Sequence, residues 1–321
     1  MFHYFFRAST QNIYDTLALS MLVNLCCHLV SCILIFMLTV KVFEGTKNIS
    51  SNRLHVIATA CSLLCIIQPS GIFSTVVCAE SISQMLCYLG LYSRVAALKM
   101  SLRTSKSVFL YLLSGLLFAT AFGFRSNCLL YGILYLYDLY GGLRKAHFSK
   151  MFWAILSGLI ILSALILSLY VPYAEYCPLR GEWCASSTKS LVSFAQKYYW
   201  NVGFLNYFTL GNIPLFIIAF PQLLVILLSL IYFHSFEAIR GEWLVTVVYL
   251  FLQIFIMHVQ IVNRVSTFLP IHFWFLAFIH SGDNKSVVFL YSQKFARYVI
   301  LFWTVWIFVQ AGLFGSFLPP A

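Results

Sequence analysis

The feature that most constrains this chain is a succession of apolar runs separated by short polar links. They lie at about residues 17–43, 56–78, 81–98, 107–124, 127–141, 151–172, 213–233, 244–262, 266–280 and 298–317. Crossing a bilayer takes roughly 20 apolar residues in a helix, and in lipid only a helix or a closed barrel satisfies its own backbone. The ten-residue alternating segments of a barrel are absent, so each run reads as a helix. The runs near 81, 127 and 266 are the shortest. The expected fold is therefore all-α: a polytopic membrane protein of about ten transmembrane helices.

Composition agrees. Of 321 residues, 61% are hydrophobic and 9% charged, with a mean hydropathy of +0.90, whereas a soluble domain is about one-quarter charged. The net charge of +11 is spread in ones and twos between the apolar runs. Such scatter does not form a nucleic-acid patch; it encodes topology. With a non-cytoplasmic start and every run crossing, fourteen Lys and Arg fall in cytoplasmic links, Arg94, Arg144, Lys150 and Arg240 among them, against six on the other face. The same count puts the sequons "NIS" at 48 and "NKS" at 284 on the cytoplasmic side, where they would not be glycosylated. Residues 1–321 read as one multi-pass membrane domain with a sizeable lumenal loop at 173–212 and no internal repeat. The first sixteen residues, "MFHYFFRASTQNIYDT", would be lumenal with no span ahead of them: either a short N-terminus is translocated unaided, or a further N-terminal segment precedes it.

Under this topology the unusual polar residues gather on the lumenal face. Glu80 lies in "CAESIS", Arg125 and Asn127 in "FRSN", Arg180, Glu182 and Trp183 in "YCPLRGEWC", and His258, Gln260, Asn263 and Arg264 in "HVQIVNR". Carboxylate, guanidinium and amide groups beside aromatic rings suit a polar or phosphorylated substrate presented at the lipid interface. Each residue alone has a plainer reading. An interfacial arginine snorkels to lipid phosphates, Glu80 caps a helix or pairs with an arginine, and His258 packs, with no second histidine at metal-ligand spacing. "RGEW" occurs at both 180 and 240, on opposite faces, and reads as coincidence. Eight cysteines sit in apolar runs; Cys177 and Cys184 flank a polar loop. A disulfide there requires an oxidising lumen, and zinc lacks a four-ligand set; the pairing stays open at this stage. No metal site is expected.

In order along the chain, "RSNC", the apolar run ending in Asp138, "YVPY", "YCPLRGEWC", "YYWNVGFLNYFTLGNIP", "HVQIVNRVSTFLPIHFW" and "FLPPA" resemble the yeast-type GPI mannosyltransferases of the PIG-V family. The resemblance implies a GT-C-like, metal-independent, inverting glycosyltransferase of the endoplasmic reticulum membrane. It would transfer the second mannose, in α-1,6 linkage, from dolichyl phosphate mannose to the mannosylated glucosaminyl-phosphatidylinositol acceptor, with a small membrane partner subunit. Such an enzyme needs a carboxylate to deprotonate the acceptor and cationic or amide groups to hold the departing lipid phosphate. Matched by position, Glu80 falls in the family's "SEP" turn, Arg125 and Asn127 in its "RSN" turn, and His258, Gln260, Asn263 and Arg264 in "HVQxxxR". The roles implied are phosphate binding by Arg125 and Arg264, hydroxyl binding by Asn127 and Gln260, and orientation by Glu80. The family's Trp-Asp pair, its usual candidate for the catalytic aspartate, is absent from this sequence. That absence leaves a non-catalytic subunit as the alternative, and a transporter ranks below both, since its charges would sit near the midplane of related halves.

Overall fold

The computed structural model describes residues 13–46, 49–177, 181–185, 190–282 and 289–317, and among them there are helices and turns but no strand. The helices are α1 (Ile13–Phe43), α2 (Ser51–Ile66), α3 (Glu80–Lys99), α4 (Ser105–Phe124), α5 (Gly132–Arg144), α6 (Phe148–Tyr176), α7 (Leu191–Trp200), α8 (Ile213–Tyr232), α9 (Arg240–Phe255), α10 (Ile271–His280) and α11 (Gln293–Gly315). Local chemistry marks several starts. Ser50 Oγ accepts from Arg53 N at the head of α2, Thr104 and Ser107 form a reciprocal capping box on α4, and Ser190 and Ser292 cap α7 and α11. These hydroxyls satisfy amides that a helix cannot pair itself.

Among the described residues, six helices are long and apolar enough to cross a membrane: α1, α4, α6, α8, α9 and α11. A seventh crossing arises if Val259–Phe268 and α10, bent by 83° at the Leu269–Pro270 break, are taken together. The protein is thus an all-helical, multi-pass membrane protein. The expected run 56–78 stops as a helix at Ile66, because Pro69 follows and Gly71 turns the chain at φ +50°. A Cβ on Gly71 would lie 3.3 Å from the Ile307 backbone of α11 and displace the Gln310 side-chain Oε1, and with the positive φ this favours glycine at the turn. The run at 127 opens as a 3-10 turn, Ser126–Tyr131, which leaves only 13 residues to α5. Asn48 and Asn284 of the sequons lie outside the described residues.

α3 packs on α1 and α4, α2 on α1, and α6 on α4 and α5, while α10 fills the space between α2 and α8. Residues Ile271–Ile279 of α10 are all buried. Trp274 donates from Nε1 to Thr39 Oγ1 of α1 at 2.9 Å, and its ring meets Phe43 edge-on at 5.3 Å.

At the end of α3 far from Glu80, a buried ionic cluster ties five helices. Arg94 donates to Asp138 Oδ2 of α5 at 2.9 Å and to Glu242 Oε1 of α9 at 3.3 Å. Lys150 of α6 reaches Asp138 Oδ1 at 3.0 Å, and the Tyr111 hydroxyl of α4 donates to Oδ2 at 2.8 Å. Arg94 therefore is not one of the solvated loop cations that the charge count assumed: it lies inside a helix and is 4% exposed. Gly241 packs closely beside the cluster, since a Cβ there would press to 2.9 Å from the Leu134 side chain. The two "RGEW" stretches have unrelated settings. Trp243 donates to the Leu230 carbonyl inside the bundle, whereas Trp183 packs against Tyr173 in the long loop.

Breaking a buried ion pair strands the remaining charges and costs about 3–5 kcal/mol. Asp138→Ala should therefore lower the thermal unfolding midpoint of the detergent-solubilised protein sharply, while Glu44→Ala, on an exposed pair with Lys41 and Lys99, should leave it nearly unchanged. Equal midpoints for the two variants would refute a structural role for the cluster.

Candidate functional site

Three separated stretches converge on Glu80, the first residue of α3. Arg125 ends α4 in extended backbone, which swings its side chain back over the helix terminus. Its Nη1 donates to Glu80 Oε1 at 2.5 Å, and its Nε reaches Asn127 Oδ1 at 3.4 Å. Arg264, in the short helical turns Val259–Phe268, donates from Nε to the same Oε1. Its guanidinium lies over the Phe73 ring, 4.1 Å from the centroid, and its Nη2 approaches Cys78 Sγ at 3.9 Å. Burial, and after it the negative charge of Glu80, pushes the Cys78 thiol above its ordinary range. It therefore stays neutral and adds no charge.

Glu80 is 2% exposed, and its Oε2 is buried without a hydrogen-bond partner. The carboxylate faces away from solvent and holds two cations, each of which remains partly open: the side chain of Arg125 is 19% and that of Arg264 33% exposed. Two guanidinium groups share one carboxylate, so the cluster carries a net positive charge, and each guanidinium offers five N–H donors of which Glu80 takes only some.

Both arginines face a cavity of about 530 Å³. Arg125, Ser126, Asn127, Arg264 and Ile261 form one wall; Val192, Gln196 and Trp200 of α7 form the other, with His258 between them. The long loop is fastened over this opening. His258 Nε2 stands 2.6 Å from the Trp200 carbonyl, its ring stacks on Tyr207 at 4.6 Å, and Leu205 N donates to the Phe255 carbonyl at 2.7 Å. Asn201, in left-handed backbone, ends α7 and turns the chain back.

The residues expected at the site separate into groups. Glu80, Arg125, Asn127 and Arg264 come together, and His258 lines the same cavity. Gln260 does not line the cavity, and its Oε1 is buried without a hydrogen-bond partner. Asn263 is fully buried and donates to the Ile218 carbonyl of α8, so it braces the turn instead of lining the cavity. Glu182 is exposed and Trp183 buried in the loop closed by Cys177 and Cys184, which are disulfide-bonded with a Cα–Cα distance of 5.4 Å; neither residue lines the cavity. Arg180 lies outside the described residues. The wall supplied by α7 was missed. Its only signal was "SLVSFAQKYYW", a short stretch with a serine cap and an apolar face.

Comparisons with known proteins identify the family. The family described as Mannosyltransferase (PIG-V) matches residues 1–239 and 241–321. GPI mannosyltransferase 2 of Saccharomyces cerevisiae is 33% identical over 99% of this chain and 78% of its own length. The proteins of that name from Candida albicans and Yarrowia lipolytica are 33% and 30% identical, over 97% and 92% of this chain and 76% and 72% of their own lengths. No solved structure matches. Agreement over nearly the whole length leaves one conclusion: the chain belongs to the PIG-V mannosyltransferase family.

Proposed function

We propose that this glycosyltransferase moves the second mannose, in α-1,6 linkage, from dolichyl phosphate mannose to the one-mannose glucosaminyl-phosphatidylinositol precursor, on the lumenal face of the endoplasmic reticulum membrane. One observation carries the reading: two arginines, oriented by a single buried carboxylate, present surplus positive charge to a cavity of about 530 Å³. Departure of a lipid phosphate from the sugar anomeric carbon leaves negative charge on the phosphate oxygens, and fixed cationic donors aimed there stabilise the transition state more than the ground state.

In this proposal Arg125 and Arg264 bind the donor phosphate. Asn127, Gln260 and His258 contribute hydrogen bonds to sugar or headgroup hydroxyls, with Asn263 bracing the turn beneath them. Glu80 is a positioning residue: with Oε1 engaged by both arginines it sets their spacing, and it would act as the catalytic carboxylate only once an arginine releases it to the acceptor hydroxyl. Arg180, Glu182 and Trp183 belong to the lumenal loop, 173–212, within a single membrane domain covering residues 1–321. They would meet the acceptor headgroup from the loop side. The ten crossings would be completed by α2, α3, α5 and the bent pair, of which α3 and α10 are enclosed by their neighbours. A small membrane subunit is the expected partner.

The direct test is complementation of a yeast strain lacking the second mannosyltransferase, with conversion of one-mannose to two-mannose precursor as readout. Conversion is expected; a correctly inserted chain that supports none would favour the non-catalytic subunit. Within a converting chain, Arg125→Gln and Arg264→Gln should each lower transfer about 10²-fold, the usual loss on removing one charge-stabilising donor. Glu80→Gln should lower it by a smaller factor, because both arginines remain but lose their shared anchor. An arginine that only snorkels to the headgroups would tolerate glutamine, so unimpaired transfer by Arg125→Gln would remove it from the site.

A further inference from the structure

Away from the cavity, α1 and α2 bring three soft ligands to one point. His28 and Cys32 are four residues apart and so lie on one face of α1, and Cys65 faces them from the end of α2. One ligand atom from each falls within 4.8 Å of the other two. All three side chains are buried, at 6%, 5% and 0% exposure. We propose that His28, Cys32 and Cys65 form a structural site for a single Zn²⁺.

The surroundings fit a metal better than they fit three packed side chains. A zinc-bound histidine fixes its ring by donating its second N–H to a neighbouring carbonyl. The His28 ring has a polar neighbour in Gln68, whose Nε2 stands 3.5 Å from its Nδ1. A bound thiolate accepts hydrogen bonds, and Gln84 Nε2 points at Cys65 Sγ from 3.5 Å. Gln84 and Gln68 hold each other through paired amide bonds of 2.8 and 3.0 Å, and Gln68 Oε1, 3.9 Å from Cys65 Sγ, stands where a fourth oxygen ligand would be drawn in.

Charge selects the ion. Two thiolates and a neutral imidazole cancel a divalent cation, so the site is neutral inside the bundle, whereas Cu⁺ would leave a net negative charge buried there. Binding releases the two thiol protons to water. None of the three ligands lines the cavity beside Arg125 and Arg264. The ion is therefore structural, clamping α1 to α2. Gln84, one helical turn past Glu80 on α3, links the clamp to the helix that carries the anion.

The full-length protein, purified in mild detergent from zinc-replete cells without chelator, should contain about one zinc per chain by elemental analysis. Cys32→Ser and Cys65→Ser should each lose it, while Cys26→Ser, an exposed cysteine of α1, should keep it. Wild-type protein stripped by chelator and reloaded with Co²⁺ should show the absorption of cobalt–thiolate bonds, and Cys32 and Cys65 should alkylate only in the stripped form. These wild-type readouts stand whether or not the variants fold. Wild-type protein with neither zinc nor a cobalt–thiolate signal, copper in place of zinc, or a Cys32–Cys65 disulfide in the native protein would overturn the proposal.

Discussion

A charge enclosed by a helical bundle in lipid has to be paired, and α3 carries one at each end. Glu80 opens the helix and Arg94 follows fourteen residues later, about 21 Å along at 1.5 Å per residue. Each recruits opposite charges from helices distant in sequence. Glu80 draws in the ends of α4 and of the Val259–Phe268 turns, while Arg94 draws in α5 and α9, with Lys150 of α6 completing the cluster through Asp138. Packing among apolar side chains gains little specificity when the solvent is itself apolar, so polar contacts of this kind decide which helices meet and in what register.

The two clusters differ in what they leave over, and that difference separates scaffold from site. At Arg94, two cations meet two carboxylates, so charge is balanced, and only Lys150 is partly exposed. At Glu80, one carboxylate meets two cations, and both cations reach a cavity wall. Under the proposed function, this net positive, partly open cluster would receive an anion, held ready in advance of its ligand. The hidden oxygen of Glu80 sharpens the point. It has no partner of its own, so the carboxylate is held where it is by the two arginines that it positions.

How much of this was legible in the sequence depends on where each residue spends its charge. Arg125 and Arg264 could be picked out because they interrupt apolar runs at turns, and Glu80 because an acid among serines at a run boundary has few uses there. Their meeting could not be read, since it depends on the extended backbone at Arg125 and on the break at Pro270. Arg94 misled for the opposite reason. It stands near Lys99 and Arg103, so it reads as one more loop cation, and only the placement of Asp138 and Glu242 reveals that it is buried. The α7 wall lay unseen because a ten-residue helix in a polar loop leaves a weak periodic signal, and Asn263 reads as a substrate ligand because it stands beside Arg264, whereas its contact with the Ile218 carbonyl on α8 depends on the fold.

The span count shows what hydropathy measures in such a bundle. In α6, only 17% of the most apolar window is buried, and in α11 22%, so these helices face lipid and read as strong spans. By contrast α3 is buried along most of its length, through Ser81, Ser83, Gln84, Ser93 and Arg94, and is not among the helices apolar enough to cross. A helix shielded by its neighbours has no need of an apolar surface, so its polar side chains mark enclosure by protein, not exclusion from the membrane. The same enclosure places function. The polar side chains that a lipid-linked phosphate would meet sit where α3, the end of α4 and the broken Val259–Phe268 turns converge. There the backbone can leave regular helix, because surrounding protein supplies the partners that lipid cannot.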